Sequence, residues 1–238
     1  MAIRERLIEY RDGSAVLEGF FCHDDSRPGP LPGLLIAHEW GGRGEFVERK
    51  ARRLAWHGFA TFALDMFGKG KHGTTNAECA ALAGPFFQDR SRVTPRITAA
   101  LNTVRDLPEV DARRIAAMGF CFGGMCVLDL ARSGADVRGV ASFHGQLKPS
   151  GLPQGRIRSK FLILHGYDDP MGPPEDVLSI AKELSAAGAD WQLHAYGNTL
   201  HSFTNPHAND RAGGMLYDEA ADRRAWHSLL QFLDEVLR

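Results

Sequence analysis

Short continuous apolar runs recur along this chain, and that recurrence does most to limit its fold. They read "LLIAH", "FATFALD", "IAAMGF", "GVASFHG", "KFLILHG" and "WQLHAYG". Most lack the apolar–polar alternation of a strand with one solvated face and suit strands buried on both faces. Helical spacing fills most of the intervals: Glu45 to His57, Ala77 to Leu107 with a turn near Gly84-Pro85, Cys121 to Ser133, and Pro174 to Ala187. A last helix is expected over Asp218 to Leu237, where Trp226, Leu229, Leu230, Leu233, Val236 and Leu237 make one stripe. Strands alternating with helices give an α/β fold, a mostly parallel sheet with helices on both faces. The start of the chain differs. Ile3, Leu7 and Tyr10, then "RDGS", then Ala15 to Phe21 read as an antiparallel hairpin turning at Asp12-Gly13. No repeat, low-complexity tract or Gly/Ser linker divides the sequence, so a single domain over 1–238 is expected.

Composition narrows the function classes. Hydrophobic residues are 44% and charged residues 24%, ordinary for a globular protein with a sizeable core. Lys+Arg is 28 against 29 Asp+Glu, a formal charge of −1, so no basic excess points to nucleic acid or to a membrane surface. Charges from Arg4 onward interrupt "MAIRERLIEY", which leaves no apolar segment of signal-peptide length, and a cytoplasmic location is expected. Cys22, Cys79, Cys121 and Cys126 form no CxxC pair and no zinc spacing, so free thiols are the simplest account.

In parallel sheets chemistry gathers just beyond the C-terminal ends of strands. "GFCFGG", Gly119 to Gly124, follows the run "IAAM" and opens a helix. That is the context of a nucleophile elbow, here with cysteine at its tip. Glycines two before and two after Cys121 remove side chains from a tight turn, and the helix N-terminus favours a thiolate. The plain alternative is a small structural cysteine in a glycine-rich turn. A nucleophile needs a base, and the base an orienting group. In this fold class they follow in the order acid, then histidine. "LILHGYDDPMGPP" places Asp168 and Asp169 after a strand; Asp169 suits the acid, and Asp168 suits turn formation and capping of the next helix. His201 in "NTLHSF" lies in the loop after the last strand and suits the base, whereas His194 sits within the strand and His207 in a polar loop. "AHEWGG" occupies the loop that supplies a second oxyanion donor, which pairs the backbone N–H of Trp40 with that of Phe122. Glu39 on that loop is able to accept the thiol proton, but its charge opposes a thiolate. His38, His165 and His201 as a metal set lack any tight ligand spacing, and no cofactor is expected.

Together "HEWGG", "GFCFGG", "HGYDDPMGPP" and "HSFTNP" resemble the dienelactone hydrolase family across nearly the whole chain. The resemblance implies an α/β-hydrolase fold and hydrolysis of a small-molecule ester or lactone by a Cys–His–Asp triad. It places Cys121 as nucleophile, Asp169 as acid and His201 as base. It also implies that Glu39 holds the resting thiol and helps ionise it when substrate arrives. The family pattern has an arginine four residues after the histidine, to grip a substrate carboxylate. Asn205 stands there in this chain. An amide hydrogen-bonds but carries no charge, so that grip is weakened. A second arginine belongs before the elbow, and Arg90 or Arg92 in "FFQDRSR" is the candidate. The rival reading is a non-enzymatic binding or interaction member of the same fold, since fold alone does not fix function.

Overall fold

The computed structural model describes residues 2–238. An eight-stranded sheet runs in the order β1-β2-β4-β3-β5-β6-β7-β8. The hairpin β1 (Ile3–Asp12) and β2 (Ala15–Asp24) is antiparallel, with Asp12 opposite Ala15. Gly13 turns it at a φ of 57°, which a side chain would resist. β2 also runs antiparallel to β4 (Ala60–Ala63). From β4 onward, β3 (Leu31–Ala37), β5 (Val110–Phe120), β6 (Gly139–Phe143), β7 (Lys160–Gly166) and β8 (Trp191–Tyr196) pair in parallel.

Both faces of the central strands are buried, as their unbroken apolar runs require. On β3, Leu35 and Ala37 face one core while Leu34 and Ile36 face the other. The first core is closed by α2 (Asn76–Gln88), α3 (Val93–Arg105), α4 (Phe122–Arg132) and α5 (Pro174–Ala186). The second is closed by α1 (Glu45–Trp56) and α6 (Glu219–Leu237), the latter capped by Asp218, which accepts the Ala221 N–H at 2.8 Å. No helix among the described residues is long and apolar enough to cross a membrane.

Two local features depart from or go beyond the sequence reading. Gly84-Pro85 does not break the helix; α2 runs through both. A proline inside a helix removes the hydrogen bond to the carbonyl four residues back. That carbonyl belongs to Ala81, on the exposed side where water can satisfy it. A capping box of Thr75 and Glu78 secures the N-terminus of α2, and Phe86 is buried just past the proline. The break comes at Asp89, whose carboxylate accepts the Ser91 N–H at 3.1 Å and starts a short 3-10 turn, Arg90–Arg92. The other feature is one the sequence left unread: β9 (Asn209–Asp210) and β10 (Met215–Leu216) form a small hairpin outside the main sheet. Strands of two residues are too short to leave a periodic signal in sequence.

Candidate active site

Cys121 occupies the corner between β5 and α4, at φ 53° and ψ −115°. A β-branched or ordinary side chain adopts positive φ only when its surroundings enforce it. The enforcement is visible in the glycines. A β-carbon on Gly119 would lie 2.1 Å from the Gly123 carbonyl oxygen, and one on Gly123 would lie 2.3 Å from the Ala37 carbonyl oxygen. One on Gly124 would lie 2.7 Å from Ser142 Oγ. The Cys121 N–H donates to the Phe143 carbonyl at 3.0 Å, tying the corner to β6. Cys121 is half-buried, while the other three cysteines are buried, and all four are free.

The loop after β8 carries His201 back toward this corner. Its N–H donates to the Gly214 carbonyl at 2.9 Å and its carbonyl accepts the Leu216 N–H at 3.1 Å, so the small β9–β10 hairpin fixes its backbone. The His201 Nδ1–H donates to Asp169 Oδ2 at 2.7 Å, with both side chains buried. The other Asp169 oxygen accepts the Met171 N–H at 2.8 Å. His201 Nε2 is buried with no partner among the described residues. Burial alone would lower the imidazole pKa. The charge of Cys121 and the Asp169 carboxylate outweigh it and raise His201 to about 10. Asp168 is exposed, and its N–H donates to the Thr199 carbonyl at 3.1 Å. It does not cap α5, whose N-cap is Pro173 with no side-chain partner.

His144, just after β6, is a neighbour that sequence reasoning passed over. Its ring meets that of His201 edge-on, with centroids 5.1 Å apart, and its Nε2 pairs with Thr204 Oγ1 at 2.8 Å. Burial first, then the charge of His201, hold its pKa well below the ordinary value, so it is neutral. The available signal was its place directly beyond a strand in "GVASFHG".

The loop after β3 forms the other side of the site. The Met66 N–H donates to His38 Nε2 at 3.1 Å, and His38 Nδ1 pairs with the Glu39 carbonyl, so Nδ1 carries the proton of a neutral ring. Burial lowers the His38 pKa to about 4. His165 Nε2 is taken by the Gly172 carbonyl at 2.7 Å, and no metal-ligating cluster of three occurs among the described residues. His194 packs against Ser228 Oγ at 3.1 Å, while His207 is exposed. Glu39 is partly buried and accepts a hydrogen bond from Asn205 Nδ2 at 3.1 Å. The Asn205 Oδ1 accepts the His207 N–H at 3.0 Å, which orients the amide with its NH2 toward Glu39. Burial raises the Glu39 carboxyl, against the pull of His201 and Asn205, to about 7. Phe122 is the first residue of α4, so its N–H has no carbonyl four residues back within the helix.

A cleft of about 210 Å³ opens over Cys121 and His201. Its walls are Trp40, Phe87, Phe122, Met171 and Met215, with Gln146 and Ser202 as uncharged polar groups. Neither candidate arginine lines it. Arg90 Nη2 and Nε both lie 2.7 Å from Asp129 Oδ2, on α4, and the Asp129 side chain is 2% exposed. Arg92 is exposed and pairs with Asp89 at 3.3 Å. Asn205 does not line the cleft either; with Glu39 and His207 it lines an adjoining polar cleft that shares Trp40, Ser202 and Met215 with the first.

The model of the dienelactone hydrolase family matches residues 17–237. Among solved structures, a dienelactone hydrolase-like promiscuous phosphotriesterase from metagenomic libraries is 35% identical with a TM-score of 0.94, covering 100% of both chains. The structure named m3DLH is 37% identical, again with a TM-score of 0.94 and 100% of both chains covered. A protein of Aquifex aeolicus provisionally named carboxymethylenebutenolidase is 24% identical over 87% of this chain and 89% of its own. With the match spanning nearly its whole length, the chain belongs to the dienelactone hydrolase family and carries an α/β-hydrolase fold.

Proposed function

We propose that Cys121, His201 and Asp169 form the catalytic triad and that hydrolysis proceeds through a thioester on Cys121. Family membership makes the chain a hydrolase of esters or lactones, which displaces the non-enzymatic reading. The observation that carries the triad is the 2.7 Å His201–Asp169 pair, whose free Nε2 shares one cleft with a cysteine held at positive φ.

The chemistry follows from that arrangement. Asp169 holds the Nδ1 proton, so Nε2 is the basic nitrogen. It takes the Sγ proton, giving a thiolate–imidazolium pair, and the thiolate then attacks the carbonyl carbon. The carbonyl electron pair moves onto oxygen, and the N–H groups of Trp40 and Phe122 stabilise that oxyanion. Its collapse expels the alkoxide, which takes the proton from Nε2 and leaves the acyl thioester. In a lactone the alcohol remains attached to the acyl group. Nε2 then deprotonates a water, which attacks the thioester and returns the thiol. Glu39 serves the resting state: at its raised pKa it is largely neutral below pH 7, where its charge does not oppose the thiolate–imidazolium pair.

Incubation with an activated ester and rapid acid quench should trap an acyl mass increment on the peptide carrying Cys121. Cys121→Ala should lose both the increment and turnover. Full turnover in that variant sinks the mechanism. The relative named for promiscuous phosphotriester hydrolysis supports a second reaction on the same thiol. An uncharged phosphotriester also builds negative charge on one oxygen as the nucleophile adds. Aryl alcohol release from an aryl dialkyl phosphate, absent in Cys121→Ala, tests it.

A further inference from the structure

The cleft over Cys121 lacks a free positive charge. Its titratable lining groups are Cys121 and His201, and His201 already serves as counter-charge to the sulfur. The nearby cations are committed elsewhere. Arg90 could reach a substrate only by leaving Asp129, which would keep Arg132 at 3.2 Å as its remaining ion-pair partner. Stripping one partner from a buried ion pair is strongly unfavourable. Arg132 is itself bound to Glu183 at 2.7 Å. Lys50 stands over the rings of Phe46, Phe120 and Trp226, at 5.3, 5.7 and 5.3 Å, and faces Asp222 at 3.6 Å. The acidic groups of the adjoining cleft are Glu39, held by Asn205, and Asp210, and no lysine or arginine lines it.

We propose that this cleft selects uncharged esters and lactones with an apolar acyl group of moderate size, and turns away those whose acyl part carries a carboxylate. The inference rests on the thioester mechanism proposed above. A carboxylate entering here gives up its water without meeting a cation, which is costly. It also approaches Glu39, a like charge once that group ionises. An apolar chain, by contrast, covers Trp40, Phe87, Phe122, Met171 and Met215 and gains from the water it displaces. The size follows from the volume. A dry apolar cavity of ~150 Å³ admits benzene, so about 210 Å³ accepts an aryl ring or a chain of medium length.

The test compares two p-nitrophenyl esters of equal chain length, the hexanoate and the mono-ester of adipic acid, on the same enzyme. The neutral ester should exceed the acidic one in kcat/KM by about 100-fold or more, the scale of an unpaired charge moved out of water. Met171 is 39% exposed on the cleft wall and tolerates a charge. Met171→Arg should therefore narrow the gap by about tenfold or more, through a charge-assisted contact with the acid. Comparable kcat/KM for the two esters on the wild type, with Cys121 acylated by both, overturns the selectivity and leaves the thioester mechanism standing. Hydrolysis of both with Cys121 unmodified, and unaffected in Cys121→Ala, overturns the mechanism and the selectivity together.

Discussion

Glu39→Gln should make the protein more stable at alkaline pH and leave it unchanged in acid. In the folded chain Glu39 holds its proton to about 7, against an ordinary value of 4.5, because burial penalises its charge. The unfolded chain gives up the proton at the ordinary value. Between those limits the folded state binds a proton that the unfolded state lacks, so stability falls as pH rises. The contribution is fully present below pH 4.5 and is lost as pH passes about 7. At ~1.4 kcal/mol per pH unit, and with solvent screening at the partly open edge of the group, the loss is about 2–3 kcal/mol. Glutamine keeps the acceptor that Asn205 Nδ2 needs at 3.1 Å and removes the charge. Urea denaturation from pH 4 to 8.5 should show a wild type–variant difference near zero in acid, growing to about 2–3 kcal/mol by pH 8.5. A difference independent of pH would mean that Glu39 does not titrate across this window. The carboxylate would then need another stabilising partner.

Asp169→Asn keeps the shape of the pair but donates to Nδ1 where the carboxylate accepted, so kcat should fall by about 10³-fold or more, measured with an activated ester; a rate near wild type removes Asp169 from the triad. Gly123→Ala places a β-carbon 2.3 Å from the Ala37 carbonyl oxygen and 2.6 Å from that of His38, both backbone atoms. It should cost about 3 kcal/mol in urea denaturation. Gly84→Ala, with nothing within 4 Å of the new carbon in a helix interior, should be neutral or gain about 0.5–1 kcal/mol; equal losses at both sites would refute the packing argument. Arg90→Ala leaves Asp129 buried with one fewer partner and should destabilise by about 3 kcal/mol, while kcat/KM for a neutral ester moves little. An unchanged midpoint paired with a large loss of kcat/KM would return Arg90 to the substrate site.

Much of the architecture was legible because it rests on local pattern. Unbroken apolar runs require burial on both faces, and the helices between them force parallel pairing, so the order of strands and helices could be read along the chain. The elbow was legible because a tight strand-to-helix turn calls for glycines at fixed spacing. The contact at Gly119 is with Gly123, four residues on, whereas the one at Gly123 is with Ala37 on the neighbouring strand and only the folded sheet supplies it. The helix break was misplaced because proline in a helix costs a hydrogen bond only where water cannot replace it, and exposure at Ala81 is a property of the folded surface. Beyond local pattern, tertiary structure decided the electrostatics of the site. The Asn205–Glu39 contact spans 166 residues of sequence, and that of Arg90 with Asp129 spans 39. The edge-on contact of His144 with His201 has no spacing rule either. Sequence by itself determined which residues stand at strand ends. Only the packed chain determined which charges are paired and which are buried, because Coulomb and desolvation energies depend on distance and solvent access in space.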